Sequence, residues 1–241
     1  LVIRPYIAKM SQSELFAIMV GGLASVAGSI LAGYAGLGVK LEYLIAASFM
    51  AAPGGLLMAK LLLPETEDIN DDYTDVEMDQ ADKPANVIDA AATGAAAGLK
   101  LAVNVGAMLL AFIAIIALLN SMVSGVGNLL GYEGITIEWM LGYIFAPFAF
   151  LIGVPFEEML QAGSFIGQKI VVNEFFAYVN FVEIKDTLSP ATQAIVTFAL
   201  CGFANLSSIA ILLGGIGSMA PNRRPDIARL GMKAMMAATM A

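Results

Sequence analysis

The residue best placed to do binding chemistry is Glu174, in the run Phe165-Ile-Gly-Gln-Lys-Ile-Val-Val-Asn-Glu-Phe-Phe-Ala-Tyr178. An ionisable group at membrane depth costs roughly 2.5–3.5 kcal/mol on insertion scales, so its default reading is a functional site. Two blander readings stand beside it: an interfacial carboxylate, or a structural pair with Lys169. The Gly167-Gln-Lys169 step reads as a tight turn between two short helices, a hairpin that enters and leaves on one side. A second cluster is Gly202-Phe-Ala-Asn-Leu-Ser-Ser208, where Gly, Asn and two Ser fall together inside an apolar stretch. Asn and Ser compete with helical hydrogen bonds and Gly weakens the helix, so the chain is expected to open here. Glu157-Glu158 invites an acid/base reading, but the pair ends an apolar span, where interfacial capping is the simpler role. With no histidine and one cysteine, Cys201, neither zinc sites nor His-based catalysis has the residues it needs. An intramembrane hydrolase lacks its base, and no Asp lies inside a long apolar stretch. The 14 Met residues are scattered over apolar faces and read as packing.

These groups must be held by membrane-embedded helices. Hydrophobic residues make up 59% of the 241, charged residues 13%, and the mean hydropathy is +0.81. A soluble domain carries about 25% charged residues, and this chain has no polar exterior to offer water. The net charge of −8 is concentrated: nine of the 20 acids fall between Glu65 and Asp82, leaving eleven acids against twelve bases elsewhere. No basic face exists for nucleic acid. The charge-free stretches are 15–39, 43–59, 101–132, 139–156 and 187–222. A spanning helix needs about 20 apolar residues. The first two fit one span each, and the third suits a tilted helix starting near Asn86. The 36 residues of 187–222 would make a straight helix of about 54 Å, so this stretch must break, tilt or turn back. Break sites are visible at Gly202–Ser208 and at Gly214-Gly-Ile-Gly217. An equivalent one lies at Gly21-Gly-Leu-Ala-Ser-Val-Ala-Gly28.

The two interrupted stretches read as copies. Ser11 precedes the first and Ser189 the second; Gly22-Leu-Ala-Ser25 aligns with Gly202-Phe-Ala-Asn205, and Gly36-Leu-Gly38 with Gly215-Ile-Gly217, at a spacing of about 180 residues. Paired interrupted spans point to a transporter site at the bilayer midplane. The acidic segment 64–86 reads as a solvated loop, without the spaced pattern of a calcium site. Arg223, Arg224, Arg229 and Lys233 mark a cytoplasmic side by the positive-inside rule, and Arg4 and Lys9 the same side. Gly98, Gly106, Ala95 and Ala102 have the small-residue spacing of a close helix contact, within the chain or between subunits. Both ends stop inside apolar runs, as in a piece of a longer chain.

Four motifs in order, Ala51-Ala-Pro-Gly-Gly55, Phe145-Ala-Pro-Phe-Ala-Phe-Leu-Ile-Gly-Val-Pro155, Val172-Asn-Glu-Phe-Phe-Ala-Tyr178 and Gly202-Phe-Ala-Asn-Leu-Ser-Ser-Ile209, resemble the bacterial concentrative nucleoside transporters over nearly the whole chain. The resemblance implies an all-α polytopic membrane protein with interrupted transmembrane helices and re-entrant hairpins. Residues 1–40 would hold the end of a first re-entrant hairpin and the first interrupted helix, and 41–63 a peripheral span. Residues 64–85 would be the acidic loop, and 86–156 an interfacial helix, a long tilted scaffold helix and a following span. Residues 157–222 would hold the second hairpin and second interrupted helix, and 223–241 a basic loop and the start of a last span. The tip of the first hairpin, which in this family completes the site, would lie before Leu1.

By motif, the resemblance implies that Glu174 and Asn205 bond the ribose hydroxyls with Ser208 beside them, that Phe203 packs on the nucleobase, and that Ile30 lines its pocket. Ser25 and Val26 would give oxygens to sodium, through unwound backbone and the serine hydroxyl. It further implies sodium-coupled nucleoside symport across the bacterial inner membrane by a homotrimer, with no organic cofactor and no enzymatic activity. A proton-coupled symporter is the nearest alternative. A channel is a more distant one, because no ring of like residues is visible. Ser25 could equally close a helix–helix hydrogen bond, and Phe203 could be ordinary packing.

Overall fold

In the computed structural model, residues 4–67, 85–132 and 134–241 are described. Most of the acidic loop expected at 64–85 lies outside them. The described residues are helical, without strands, and the fold is that of a polytopic helical membrane protein. The chain divides into two compact units, one of residues 1–6 and 70–135, the other of 7–69 and 136–241. A four-residue helix, α1 (Arg4–Ile7), opens the described chain.

The first unit is dominated by one element, α5 (Val87–Leu129), whose 43 residues make a helix about 64 Å long. Its start falls where the sequence places it. Asn86 is the N-cap, and its side chain accepts from the Asp89 N–H at 2.9 Å. The interfacial and tilted portions expected over 86–130 are one unbroken helix. Leu99, Val103, Leu110, Leu118 and Met122 are exposed along it, as suits contact with hydrocarbon or other apolar surfaces. Ala95, Gly98, Ala102 and Gly106 are also exposed.

The second unit holds α2 (Gln12–Ala24), α3 (Gly28–Gly36), α4 (Leu41–Leu62), α6 (Ile137–Leu151), α7 (Met159–Val171), α8 (Glu174–Ile184), α9 (Pro190–Leu200), α10 (Leu206–Met219) and α11 (Arg224–Thr239). Both expected interruptions are present. The first opens the backbone at 25–27, between α2 and α3; the second opens it at 201–205, between α9 and α10. The copies also start alike. Ser11 caps α2 and donates its hydroxyl to Glu65 Oε2 at 2.6 Å; Ser189 caps α9 and donates its hydroxyl to Glu158 Oε2 at 2.8 Å. Glu158 takes the Ser189 N–H as well, so its carboxylate anchors the start of α9. The likeness ends at the far ends. Gly38 has a positive φ of 97° just beyond α3, whereas Gly214–Gly217 lie inside α10, which runs through the second expected break. Each Gly weakens a helix by about 1 kcal/mol, and α10 stays helical through all three of them, packed on α11.

Helices 2 and 4 pack through small residues. Ala47, Ala51, Gly55 and Ala59 are buried at four-residue spacing along α4, and a Cβ on Gly55 would stand 3.4 Å from that of Ala24. Small side chains let helix backbones approach closely where lipid supplies no hydrophobic drive. The basic segment folds onto the start of α2: Arg223 Nη1 donates to the Met10 carbonyl at 2.6 Å and Arg229 Nη2 to Gln12 Oε1 at 2.9 Å. The region following Lys9 and the Arg223–Arg229 segment thus share one end of this unit.

The hairpin is built from α7 and α8, but its turn is not where the Gly167-Gln-Lys169 step suggested. Helix 7 runs on to Val171, and the chain turns at Val172–Asn173. Gly167 instead permits close packing on α6, since a Cβ there would meet Leu141 Cβ at 2.7 Å. Gln168 is held by Ser164 and Asn180, at 3.0 and 2.6 Å. The polar residues that suggested a turn are buried and bonded within the bundle, so helix propensity and packing prevail. Helix 6, the span expected at 139–156, has 15 residues and is about 22 Å long, shorter than a hydrocarbon core of about 30 Å.

Candidate functional site

Helices 8 and 10 bring their N-termini together. Glu174 is the first residue of α8, with Asn173 as N-cap; Asn205 is the N-cap of α10. Helix N-termini carry partial positive charge and favour a carboxylate. Asn205 Nδ2 donates to Glu174 Oε2 at 2.9 Å, and the Tyr34 hydroxyl, from α3, donates to Oε1 at 3.2 Å. Glu174 is 5% exposed, Asn205 2% and Tyr34 1%. Each carboxylate oxygen therefore has one side-chain donor and a further lone pair.

The second interruption fixes Asn205 firmly. Its Oδ1 accepts from the Ser208 N–H at 2.8 Å and the Ser207 hydroxyl at 2.7 Å, while its own N–H donates to Ser208 Oγ at 3.1 Å. This reciprocal capping box satisfies orphan donors at the start of α10 and aims the amide nitrogen at Glu174. Ser208 thus acts on Asn205, within α10's first turn. Phe203 and Ile30 are half-buried and pack against the same core cluster, with Val26, Tyr34 and Tyr178 among its members.

The first interruption is built differently. Ser25 ends α2 in extended conformation (φ −88°, ψ 159°), and α3 begins after Ala27, which gives no side-chain cap. Among the described residues the Ser25 and Val26 carbonyls accept no backbone hydrogen bond. They lie at the C-terminal, partially negative end of α2, which favours a cation. Unpaired carbonyls and a serine hydroxyl at such an end are the hard oxygen donors an alkali ion takes. The two interruptions approach each other: Gly202 has φ +146°, and a Cβ on it would stand 2.9 Å from the Ala24 carbonyl oxygen.

Lys169 does not form an ion pair with Glu174 within 4.0 Å among the described residues. It is 3% exposed and donates to the Ala199 carbonyl at 2.9 Å, near the C-terminal end of α9. An ammonium there complements the negative end of the helix. Sequence reasoning singled out Glu174 and Asn205 but missed Tyr34. Its signal was available: Tyr34 follows Ile30 by four residues on the same helical face and carries a polar tip in a charge-free stretch.

The family described as "Na+ dependent nucleoside transporter C-terminus" matches residues 43–241. The chain is 59% identical over 241 residues to the uncharacterized transporter YutK of Bacillus subtilis, covering all of this chain and 60% of that protein. It is 49% identical to the nucleoside permease NupC of Helicobacter pylori, covering 100% of this chain and 58% of that one. It is 37% identical to human solute carrier family 28 member 3, covering all of this chain and 37% of that protein. The chain therefore spans three-fifths or less of these relatives. Among solved structures, CNTnw in an inward-facing substrate-bound state matches with a TM-score of 0.90 at 57% identity, covering 99% of this chain and 57% of that one. A CNTnw variant in its intermediate 2 state matches at 0.94 and 58% identity, covering 100% of this chain and 58% of that one. The family is one of transporters rather than enzymes, and the fold and the matched span agree: this chain belongs to the family of Na+ dependent nucleoside transporters.

Proposed function

We propose that this protein is a secondary active transporter that carries nucleosides together with sodium across the bacterial inner membrane by alternating access. The observation that carries this reading is the buried Glu174 carboxylate, set between the N-termini of α8 and α10 with one donor on each oxygen. A ribose diol offers two further donors, and a carboxylate accepts both with charge-assisted strength. Asn205 takes one ribose oxygen with its amide, Ser208 keeps that amide aimed, Phe203 packs on the base and Ile30 lines its pocket. A site built for hydroxyls rejects deoxy analogues, because its own polar groups are then left unpaired. Ser25 and Val26 hold sodium through carbonyl oxygens and the serine hydroxyl. The ion supplies charge and order at the open backbone of the first interruption.

Helices 7 and 8 have 13 and 11 residues, about 20 and 16 Å. Neither crosses about 30 Å of hydrocarbon, which supports a re-entrant hairpin. The names of NupC and of the mouse sodium/nucleoside cotransporter 1, 37% identical to this chain, support the substrate and the coupling ion. The homotrimer rests on the family resemblance.

Uridine uptake into proteoliposomes of the intact transporter tests the reading, with and without a sodium gradient, for wild type and Glu174→Gln. Sodium-driven uptake that falls by at least about 100-fold in the variant is the expected result, on the scale of losing a charged hydrogen-bond acceptor. Uptake that ignores sodium and follows a pH gradient keeps the transporter and replaces the ion. No nucleoside uptake by well-folded wild type overturns the substrate.

A further inference from the structure

Helix 3 is a nine-residue rod whose two ends touch two different things. Its N-terminal end leaves the interruption at 25–27, where Ala27 gives it no side-chain cap. Close to its other end, Tyr34 donates to Glu174 Oε1 at 3.2 Å. The ring is 1% exposed and lies 4.5 Å from the Tyr178 ring and 6.4 Å from that of Phe175, both on α8. Tyr34 is thus clamped against the hairpin helix that carries Glu174, and it sits on the same short helix as the backbone opening. Among the described residues, Tyr34 gives the side-chain hydrogen bond that joins α3 to Glu174. A helix this short moves as a body, so whatever fixes its uncapped end also sets where the Tyr34 hydroxyl stands.

Taking the sodium and nucleoside sites as read above, we propose that Tyr34 is a positioning residue that couples them. Sodium on the Ser25 and Val26 oxygens fixes the start of α3, and α3 then holds the Tyr34 hydroxyl on Glu174 Oε1. That bond orients the carboxylate so that its remaining lone pairs face the ribose diol. Without the ion the start of α3 is held by packing alone, through Val26 and Ile30, and the carboxylate's orientation is less tightly fixed. Such coupling is reciprocal: nucleoside on Glu174 tightens sodium binding by the same factor. The ion contributes only through its differential affinity for the ordered arrangement.

Tyr34→Phe in the intact transporter isolates the hydroxyl, because the ring and its packing remain. Phe175→Leu is the counterpart, which disturbs the ring packing and keeps the hydroxyl. Uridine affinity is measured by calorimetry in sodium and in choline, and melting temperature is recorded with sodium alone. Wild type should bind uridine about 5–150-fold more tightly in sodium, the usual range of such coupling. In Tyr34→Phe that ratio should shrink by about threefold or more, with the sodium-only rise in melting temperature retained. Phe175→Leu should keep the wild-type ratio. An unchanged ratio in a folded Tyr34→Phe overturns the proposal, as does an equal loss in Phe175→Leu, which would make the role packing alone. Loss of the sodium-only shift in Tyr34→Phe also overturns it, by placing Tyr34 in the cation site. Wild type that binds no uridine sinks instead the function proposed above, and uridine affinity indifferent to sodium sinks its coupling ion.

Discussion

The two interrupted helices begin alike and differ at their openings. Both begin with a serine cap bonded to a glutamate from a neighbouring element, and both open after eleven to thirteen helical residues. They differ in what the opening presents. At 25–27 the chain shows bare carbonyls and an uncapped restart; at 201–205 it shows an asparagine locked in a capping box, with its amide on a carboxylate. The residue at the restart decides the outcome. Ala27 leaves the start of α3 without a side-chain cap, whereas Asn205 turns the second opening into a hydrogen-bonding arm. A repeated backbone break can thus expose different polar groups through a change of cap.

The comparison is broken most directly at the glycines that the sequence aligns, Gly22 and Gly202. Gly202→Ala should destabilise the protein by about 1–3 kcal/mol, the range for a residue forced into a sparsely populated backbone region, because φ is +146° and the Ala24 carbonyl blocks the new methyl. Gly22→Ala should instead stabilise it, by up to about 1 kcal/mol, since Gly22 is helical and nothing lies within 4 Å. Thermal unfolding in detergent reads both, and equal effects would mean the two openings are not built differently. A sharper version makes the first opening resemble the second. Ala27 is exposed in extended conformation (φ −68°, ψ 142°), so Ala27→Asn should cap α3 and add about 1 kcal/mol. Failure to gain would mean that the start of α3 is already satisfied.

The smallest effect concerns the shared caps. The Ser11 hydroxyl, followed by the Glu67 N–H, holds the Glu65 carboxyl below its ordinary value of 4.5. A depressed carboxyl contributes stability that is complete above its unfolded value and is lost as pH falls through the folded one. The window therefore lies below about pH 4.5. Glu158 is lowered likewise, by the Thr192 hydroxyl and then the Ser189 N–H. Glu65→Gln should lower the neutral-pH melting temperature slightly and flatten the acid-side loss, so that the two profiles converge below about pH 4.5. An acid profile identical to wild type would show that the first cap contributes nothing.

Glu174 was legible because a charge stands out in apolar sequence, and Asn205 because it sits with Gly and Ser where a helix must open. The hairpin turn was misplaced for a related reason. Gly167, Gln168 and Lys169 look like turn residues, yet each has a partner on another helix: Gly167 on α6, Gln168 on α8, Lys169 on α9. Such partners are far away in sequence, and local propensity cannot see them. Tyr34 escaped for the converse reason. Its polar tip in a charge-free stretch was the local signal, but only α8 placed beside it gives that tip its partner.

By itself the sequence determined the membrane-embedded class, the two interruptions and the starts of α2, α5 and α9. These follow from composition, from helix-breaking residues and from caps, all of which act over a few positions. Only the tertiary structure decided that the N-termini of α8 and α10 meet, that Tyr34 reaches across 140 residues to Glu174, and that Lys169 hydrogen-bonds a carbonyl at a helix end. Those contacts depend on how closely helices approach, which small residues and buried polar partners settle jointly.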